Sequence, residues 1–183
     1  MLDKKSLRKQ VLEKRDALTY KERGYLDKEI FNKLIQSNFY KNSNCIFVFV
    51  SYKTEVDTHL IIKKALQDGK TVCVPKVISK EKGMVAVKIK DFSELLVSTY
   101  GILEPKICNN LVNPKEIDLV LLPGAVFDGN GGRIGYGGGF YDRFLVNVKP
   151  SVSKIGLAYK IQVVKKVPMD ELDIRIDGII TNG

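Results

Sequence analysis

The stretch that most constrains the fold is 121–145, where a loop rich in glycine separates an apolar run from a short amphipathic segment. The apolar run ends at Pro123-Gly124, and Phe140 and Phe144 then recur at helical spacing. A strand, a glycine loop and a helix in this order can hold phosphate against backbone N–H groups at a helix N-terminus. The seven glycines of the loop are Gly129, Gly131, Gly132, Gly135, Gly137, Gly138 and Gly139.

This loop differs from two common nucleotide-binding motifs. No Gly-Lys-Ser/Thr follows the glycines, and Phe140 replaces the third glycine of the dinucleotide fingerprint, so neither a P-loop NTPase nor a Rossmann dehydrogenase is indicated. Arg133 and Arg143 flank the glycines and can bind phosphate through paired hydrogen bonds. Asp142 can hold a Mg²⁺ ion that bridges phosphates. The loop is therefore predicted to bind a phosphate.

Apolar runs at 45–50 and 71–75 predict two buried strands with a helix between them. This order predicts an α/β fold with a mostly parallel central sheet flanked by helices. Segment 163–167 fits either a short helix or a strand, and 90–116 is expected to be mostly loop. Further strands are expected at 84–89, 117–122, 154–159 and 177–181.

Two consecutive helices are predicted at the N-terminus. Asp3 can cap the first, and Thr19 opens a capping box before the second, so the two are expected to form a helical hairpin. On the first helix Lys4 and Arg8 lie one turn apart and Arg15 lies two turns beyond, beside an apolar stripe. This basic stripe is either a solvated helix face or a clamp on phosphates.

Glu55 lies in a polar segment, 51–58, that directly follows the strand at 45–50. In open α/β sheets ligands bind at the carboxyl ends of the strands. Glu55 is therefore either a capping or solvent-facing acid, or a carboxylate that faces a ligand.

The 183 residues fit a single domain, 1–183, large enough to bury a sizeable core. Thirty Lys and Arg against 21 Asp and Glu give a net charge of +9, which suits an anionic partner or solubility alone. The lysines form no single stripe and there is no Trp, which argues against nucleic acid. No apolar run of about 20 residues and no secretory signal is visible, so a cytoplasmic protein without membrane contact is expected.

The cysteines are Cys45, Cys73 and Cys108, and the only histidine is His59. Without a C-x-x-C spacing, a zinc site or a disulfide framework is not indicated. Buried, reduced cysteines are expected.

Four motifs in order resemble those of the 5-formyltetrahydrofolate cyclo-ligase family, also called methenyltetrahydrofolate synthetases. PGAVFDGNGGRIGYGGGFYDR meets every fixed position of the family signature, and KKSLR, KTEVDT and GILEP match three further elements. The resemblance extends from residue 4 to about 145. It implies an α/β fold with a mostly parallel sheet. It also implies conversion of 5-formyltetrahydrofolate and ATP to 5,10-methenyltetrahydrofolate, ADP and phosphate with Mg²⁺.

The resemblance also implies which residues form an ATP site. They come from the start of the chain and from the glycine loop. They are Lys4, Lys5, Ser6, Leu7, Arg8, Arg133, Ile134, Gly135, Tyr136, Gly137, Gly138, Gly139, Phe140 and Tyr141.

By the same resemblance, Val50, Glu55, Tyr136 and Phe140 are expected to contact the folate, and it stays open whether Phe140 and Tyr141 serve folate or nucleotide. Glu55, Arg133 and Tyr141 are the expected catalytic residues. The substrate is small and anionic, is expected to be polyglutamylated, and the enzyme is expected to be a monomer.

The resemblance implies two magnesium ligands, Asp142 and Asp177, with Asp173 or Asp170 as alternatives to Asp177. For the anionic folate tail, Lys53, Lys76 and Lys106 are equal candidates. On the residues alone, two other functions stay open. One is a sugar-phosphate isomerase or CoA transferase, which needs no ATP, and the other is a basic nucleic-acid module with salt-dependent binding.

Overall fold

A seven-stranded sheet forms the centre of the fold in the computed structural model, which describes residues 3–98, 101–106 and 108–183. Two smaller sheets of three and two strands lie beside it. The strands are β1 (Cys45–Val48), β2 (Thr71–Ser79), β3 (Gly83–Ile89), β4 (Leu95–Val97), β5 (Leu103–Pro105), β6 (Leu111–Val112), β7 (Leu119–Leu122), β8 (Val126–Asp128), β9 (Arg133–Ile134), β10 (Ser153–Ala158), β11 (Val163–Val164) and β12 (Gly178–Thr181).

Helices cover the sheet and connect its strands. None of them, in the part of the chain that is described, has the length and apolarity needed to cross a membrane. The helices are α1 (Lys4–Asp16), α2 (Tyr20–Gln36), α3 (Asn38–Lys41), α4 (His59–Gln67) and α5 (Phe140–Leu145), with short 3-10 helices at Phe92–Glu94, Pro114–Glu116 and Lys160–Gln162.

The strand order of the large sheet is β12-β10-β7-β1-β2-β3-β6. The five strands from β12 to β2 pair in parallel, and β3 and β6 add antiparallel pairs at one edge. The predicted α/β class with a mostly parallel sheet is therefore confirmed. The fold also agrees with the expected order of strand, helix and strand over β1, α4 and β2.

Burial on both faces of the sheet explains why the central strands are apolar at every position. Side chains alternate along a strand, so Ile46 and Val48 of β1 pack towards α2 and α4. Cys45 and Phe47 point to the opposite face, where Phe47 stacks on Phe144 of α5 at 4.4 Å between ring centroids. Each hydrophobic layer therefore fixes one set of helices on the same strands.

The predicted caps of the first two helices are confirmed. The Asp3 carboxylate accepts from the backbone N–H of Ser6 at 2.8 Å, and Thr19 and Glu22 form a reciprocal capping box. Gly69 ends α4 with φ at 74°. The helices α1 and α2 follow one another as expected, but α1 lies mainly against β8 and the Lys160–Gln162 turn, and α2 against α3 and β12.

The structure differs from the sequence-based expectations where tertiary pairing decides. The strand β1 ends at Val48, and β2 continues to Ser79 because it forms an antiparallel hairpin with β3. Segment 90–116 is expected to be mostly loop around a short helical turn near 92–95. The turn is present at Phe92–Glu94, but the described part also holds β4, β5 and β6, while positions 99, 100 and 107 lie outside the described residues. Segment 163–167 begins with a strand, β11.

Two of the cysteines meet the expectation of buried thiols and one does not. Cys45 and Cys73 are free and buried, with their sulfur atoms 3.9 Å apart. Cys108 is free and exposed. Cys108 lies outside the helices and strands of the structure, so its side chain is not packed against the core.

Candidate functional site

The strand order reverses between β1 and β7, which lie side by side in parallel. From β1 the chain moves to β2 on one side, and from β7 it moves to β10 on the other. Such a switch point leaves a crevice at the carboxyl ends of the two strands. The Glu55 segment leaves β1 at this crevice, and the glycine loop leaves β7 there.

A small hairpin of β8 and β9 forms the first half of the glycine loop. Its turn is held by the Asp128 carboxylate, which accepts from the backbone N–H groups of Asn130 and Gly132, each at 2.8 Å, and of Val167 at 2.6 Å. Burial raises the pKa of Asp128, but these three hydrogen bonds outweigh it and leave the pKa below its usual range. Gly131 is required here, because its φ is 80° and a Cβ would lie 2.3 Å from the Ile176 carbonyl oxygen.

Arg133 is the buried cation of this loop, with only 4% of its surface exposed. Its Nη1 donates to the Pro123 carbonyl at 3.2 Å and its Nη2 to Asp142 Oδ2 at 3.0 Å. The guanidinium lies 5.8 Å from the ring centroid of Tyr141. Its Nε is buried and makes no hydrogen bond to any described residue. Arg133 therefore keeps one buried donor without an acceptor among the described residues.

The second half of the loop, 135–139, presents partly exposed backbone to α1. Arg8 Nε donates to the Gly135 carbonyl at 2.8 Å, which brings the predicted basic stripe to the loop. Gly137 and Gly139 have φ values of 98° and 62°, conformations that side chains disfavour. Arg143 Nη1 donates to the Gly138 carbonyl at 3.0 Å. Cations thus surround a stretch of accessible backbone.

Lys4 of the same helix face is bound to acidic residues of the C-terminal region. Its ammonium lies 2.6 Å from Asp170 and also pairs with Asp173. Burial lowers the pKa of Lys4, but the two carboxylates outweigh it and raise the pKa above its usual value. The start of α1 and segment 170–173 are therefore joined at the edge of the loop.

Glu55 is fixed at the opposite side of the crevice. Its Oε2 accepts from the backbone N–H of Tyr52 at 2.8 Å. Burial is the largest influence and raises the pKa of Glu55, although the Tyr52 N–H, the Tyr136 hydroxyl and the charge of Arg15 oppose it. A carboxylate with a raised pKa at the end of a strand is a candidate for accepting a proton at neutral pH.

The segment that carries Glu55 is tied to the core at both ends. Thr58 Oγ1 donates to the Phe49 carbonyl at 2.7 Å and accepts from the backbone N–H of Ser51 at 2.9 Å. Asp27 of α2 accepts from the Tyr159 hydroxyl at 2.7 Å and from the backbone N–H of Asp57 at 3.1 Å. Helix α2 and strand β10 thus hold the segment in one position.

A cleft of about 650 Å³ lies between α2 and the Glu55 segment. Its volume falls within the range of small-molecule sites. Aromatic, cationic and acidic side chains all face it. The lining residues are Tyr20, Arg23, Gly24, Asp27, Lys28, Phe31, Asn32, Ser51, Lys53, Glu55, Asp57, His59 and Leu60.

The cleft and the glycine loop meet at Arg15, the last basic residue of α1. Arg15 Nε donates to Thr54 Oγ1 at 3.1 Å and Nη1 to the Tyr136 hydroxyl at 2.7 Å. A gap at this junction, too narrow to hold a water molecule, is lined by both Arg15 and Glu55 and by Pro123 and Gly124 at the start of the glycine loop. Glu55 therefore borders the cleft on one side and the glycine-loop side of the site on the other.

The structure brings most of the predicted nucleotide residues together, but their side chains differ in availability. Leu7 and Ile134 pack in the hydrophobic cluster around Val11, and Ser6 is turned towards Asp3. Lys5 is exposed. Of these positions, Leu7 and Ile134 have side chains committed to packing.

Among the predicted folate contacts, Val50 is only 4% exposed and packs in the core with Tyr141 at its margin. Tyr141 also packs edge-on against Phe47, with 6.4 Å between ring centroids. Phe140 lies beneath the Arg143 guanidinium at 5.0 Å. Tyr136 is the exposed aromatic residue of the loop. The structure therefore gives Phe140 and Tyr141 at least a packing role.

The two predicted magnesium ligands have different surroundings. Asp142 accepts from Arg133 and, at 3.2 Å, from the backbone N–H of Ile174. Asp177 pairs instead with Lys154, accepting from its backbone N–H at 2.7 Å and its ammonium at 2.9 Å, at the amino ends of β10 and β12. The expected pairing of Asp142 and Asp177 is thus not what the structure presents, because Lys154 holds Asp177 at the opposite edge of the strands from the crevice.

No group of three or more His, Cys, Asp or Glu residues suited to a metal is found among the described residues. Magnesium bound to a nucleotide needs only one or two carboxylates, since phosphates supply the remaining oxygens. Asp142 beside the glycine loop fits that requirement. Of the alternatives, Asp173 pairs with Lys4 of α1. Burial raises the pKa of Asp173, but the Asp170 backbone N–H, Lys4 and the charge of Arg133 outweigh it and leave the pKa below its usual value.

Three residues of the site lie outside the predicted set. Arg15 belongs to the predicted basic stripe, and its two-turn spacing from Arg8 is the signal for it in the sequence. Asp27 and Tyr159 gave no signal, because their contact joins positions 132 residues apart.

The sequence and the structure of this chain both resemble those of known proteins. The model of the 5-formyltetrahydrofolate cyclo-ligase family matches residues 1–182. In an alignment of 195 positions, the chain is 31% identical to a 5-formyltetrahydrofolate cyclo-ligase of Mus musculus. The alignment covers 97% of this chain and 92% of that protein.

Two solved structures share the fold. A 5,10-methenyltetrahydrofolate synthetase of Aquifex aeolicus superposes with a TM-score of 0.85 and 34% identity, covering 97% of this chain and 88% of that one. One from Mycoplasma pneumoniae superposes with a TM-score of 0.81 and 28% identity, and the match covers 100% of both chains.

Proposed function

The chain belongs to the 5-formyltetrahydrofolate cyclo-ligase family and is an enzyme of the ligase class, and from this membership we propose that it converts 5-formyltetrahydrofolate to 5,10-methenyltetrahydrofolate with ATP and Mg²⁺. The observation that carries the proposal is the position of Glu55, which lines the cleft and also packs near Pro123 and Gly124, where the glycine loop begins. One substrate on each side would meet at this carboxylate.

The proposed reaction has two steps. The formyl oxygen attacks the γ-phosphorus of ATP, a phosphorus–oxygen bond breaks and ADP leaves. N10 of the folate then attacks the activated formyl carbon, the carbon–oxygen bond breaks, and phosphate leaves as the ring closes and N10 loses its proton. An amide-like oxygen is a poor leaving group, and phosphorylation makes it a good one. Phosphoryl transfer depends mainly on positioning and charge neutralisation.

The nucleotide is assigned to the glycine loop and α1. Arg8 and Arg143 contact the partly exposed backbone at 135–139, and Arg133 lies buried beside Asp142. Lys4 would exchange its two carboxylate partners for phosphate oxygens when the nucleotide binds. Asp142 would hold Mg²⁺ together with the phosphates, where the ion would neutralise charge and orient the transferred group.

The folate is assigned to the cleft between α2 and the Glu55 segment. Tyr20 and Phe31 provide aromatic surface there. Of the three lysines considered for the anionic tail, Lys53 lines the cleft, whereas Lys76 pairs with Glu104 at 3.1 Å and Lys106 is exposed outside it. We assign Lys53, with Arg23 and Lys28, to the tail carboxylates.

Glu55 is assigned to the N10 side of the reaction. Its raised pKa suits a group that accepts the N10 proton as the ring closes. Tyr141 and Arg133 lie together beside the glycine loop and would fix the position of the nucleotide.

We also assign the protein to a single domain that acts as a monomer in the cytoplasm.

The test follows formation of the methenyl product spectroscopically from purified protein and 5-formyltetrahydrofolate. We expect product only with ATP and Mg²⁺, and none when ADP or a non-hydrolysable ATP analogue replaces ATP. ADP and phosphate should appear in equal amounts with the product. Product formation without ATP, or ATP hydrolysis that does not depend on the folate, would contradict the proposal.

A further inference from the structure

We propose that Arg15 is a further catalytic residue, whose guanidinium binds the phosphoryl group as it passes from the nucleotide to the formyl oxygen. This inference rests on the proposed function, since it assigns a role within the same site. The spacing of the sequence places Arg15 in the basic stripe of α1, but the family motifs do not include it among the nucleotide residues. The structure places it at the junction of the two half-sites.

Arg15 is connected to both loops of the crevice. Its Nε binds Thr54, next to Glu55 on the folate side, and its Nη1 binds Tyr136 in the glycine loop. The guanidinium also lies 5.8 Å from the centroid of the Tyr136 ring. One planar side chain therefore lies between the proposed folate and nucleotide sites, where the phosphoryl group would pass from one substrate to the other.

The charge of Arg15 is buried without a close carboxylate hydrogen bond. Only 5% of its surface is exposed. Both of its hydrogen-bond partners are neutral hydroxyl groups, and Asp16 Oδ1, 3.6 Å from Nε, is itself bound to Thr54. Its Nη2 makes no hydrogen bond to a described residue. Asp16, at this distance, and Glu55, whose pKa the charge of Arg15 lowers, offset the charge of Arg15 without accepting a hydrogen bond from it. Since a buried cation is costly unless an anion compensates it, an anionic ligand would supply the direct partner that Arg15 lacks.

The other arginines of the site have different partners. Arg8 and Arg143 donate to the loop carbonyls of Gly135 and Gly138, and Arg133 donates to the Pro123 carbonyl and Asp142. They shape the nucleotide side. Because Arg15 contacts residues of both loops, we assign it to the transfer of the phosphoryl group rather than to binding of the nucleotide.

The proposed step needs no proton from Arg15. As the formyl oxygen forms its bond to the γ-phosphorus and the bond to the ADP oxygen breaks, negative charge lies on the three other oxygens of the transferred group. Arg15 would donate hydrogen bonds from Nη1 and Nη2 to these oxygens, with Nη1 leaving the Tyr136 hydroxyl. Arginines that stabilise this charge in other phosphoryl transfers contribute about 10³–10⁵-fold in rate.

The test compares Arg15→Ala and Arg15→Lys with Lys14→Ala, which removes an exposed charge from the neighbouring position. We expect Arg15→Ala to lower kcat by at least about 100-fold. The KM values for ATP and folate should change by no more than about threefold, as expected when an interaction is made mainly in the transition state. Lys14→Ala should match the wild-type enzyme. Guanidinium or methylguanidinium in the assay should restore at least about tenfold of the lost rate of Arg15→Ala.

Each other outcome contradicts the inference. A higher KM for folate with unchanged kcat would make Arg15 a substrate-binding residue. A loss of rate without rescue by guanidinium, in a variant whose thermal unfolding matches wild type, would make its role structural. If Arg15→Ala does not fold, Arg15→Lys keeps the charge but not the planar fork, and wild-type kcat in that variant would overturn the assignment. Activity retained in all variants would overturn this inference alone, whereas no ATP-dependent product from the wild-type enzyme would overturn the proposed function with it.

Discussion

Glu55 Oε2 accepts the backbone N–H of Tyr52 at 2.8 Å, so the carboxylate is fixed by its own loop and not by a cation. Burial then raises its pKa, since no cation among the described residues forms an ion pair with it, and the charge of Arg15 opposes this effect only in part. This combination of fixed geometry and a raised pKa distinguishes Glu55 from the ion-paired acids of the protein, such as Asp118 beside Lys149.

Replacement of Glu55 by Gln keeps the shape of the side chain and removes its ability to accept a proton. We expect kcat to fall by about 10²–10⁴-fold, the usual contribution of general base catalysis, while ATP affinity stays within about threefold of wild type. Steady-state kinetics and nucleotide binding by calorimetry measure both quantities. Glu81→Gln changes an exposed acid in the same way and is the control. Loss of ATP binding in Glu55→Gln would show that the residue is misassigned.

The pH dependence of the wild-type enzyme should report the same carboxylate. The ionised form is the active one, so activity should fall as the pH decreases through the pKa of Glu55. Because burial raises that pKa, the fall should occur above the value of about 4.3 typical of glutamate. Profiles of kcat/KM test this, and Glu55→Gln should lack this acidic limb. An identical limb in both enzymes would assign it to another group.

Lys53 should contribute to binding of the polyglutamate tail. It has φ at 54°, a strained conformation for any side chain, so Lys53→Glu changes the charge and leaves the backbone preference similar. We expect at least about a fivefold higher KM for polyglutamylated folate, corresponding to about 1 kcal/mol, and a smaller change for the monoglutamate. Lys90→Glu, an exposed lysine outside the cleft, controls for net charge. Equal changes for both tail lengths would place the tail elsewhere.

Arg8 should contribute to nucleotide binding through its contact with the glycine loop. Arg8→Ala is expected to raise the KM for ATP by about tenfold or more, since a hydrogen bond to a charged group contributes about 1.5–3 kcal/mol. The KM for folate should not change. The adjacent exposed Lys9 faces Glu13, and Lys9→Ala is the control. Unchanged ATP kinetics in Arg8→Ala would contradict the assignment of ATP to α1 and the loop.

The different partners of Asp142 and Asp177 predict different phenotypes. Asp142→Asn should raise the Mg²⁺ concentration needed for half-maximal rate by about tenfold or more. Asp177→Asn should instead lower the melting temperature, because Lys154 loses its charged partner. Magnesium titrations and thermal unfolding separate the two effects. A similar rise in the Mg²⁺ requirement in Asp177→Asn would restore the two aspartates as joint ligands.

Asp128 should stabilise the loop rather than act on substrates. Asp128→Asn is expected to cost about 1–3 kcal/mol of unfolding free energy, because its buried N–H partners lose a charged acceptor. The folded-state pKa is depressed, so this contribution is present above the unfolded value of about 3.9 and is lost as pH falls through the folded pKa. Urea unfolding at pH 7 and near pH 3 tests the sign. A difference between variant and wild type that grows at low pH would contradict it.

The sequence predicted the elements whose signals are local. The apolar runs of β1 and β7, the caps at Asp3 and Thr19 and the glycine loop all follow from neighbouring residues. Glu55 was found because it follows a strand at the end where ligands bind. The family motifs then supplied roles that spacing alone does not give.

The remaining features depend on contacts between distant parts of the chain. The edge strands β4 to β6 are two or three residues long, and pairing creates them rather than propensity. The engagement of Asp177 by Lys154 joins two strands that only the sheet brings together. The position of α2 beside the cleft is held by Asp27, which meets Tyr159 directly after β10, a contact that no window of sequence contains.

The parallel pairing of β1 with β7 has a consequence for the geometry of the reaction. Ile46, Phe47 and Val48 stand beside Leu119, Val120 and Leu121, and all six side chains are buried completely. The register of β1 against β7 therefore fixes the distance between the Glu55 segment and the glycine loop, and with it the distance between the two proposed binding sites. A core substitution that shifted this register would move the two proposed binding sites apart in a protein that still folds. The enzyme would then bind each substrate but would not catalyse the reaction between them.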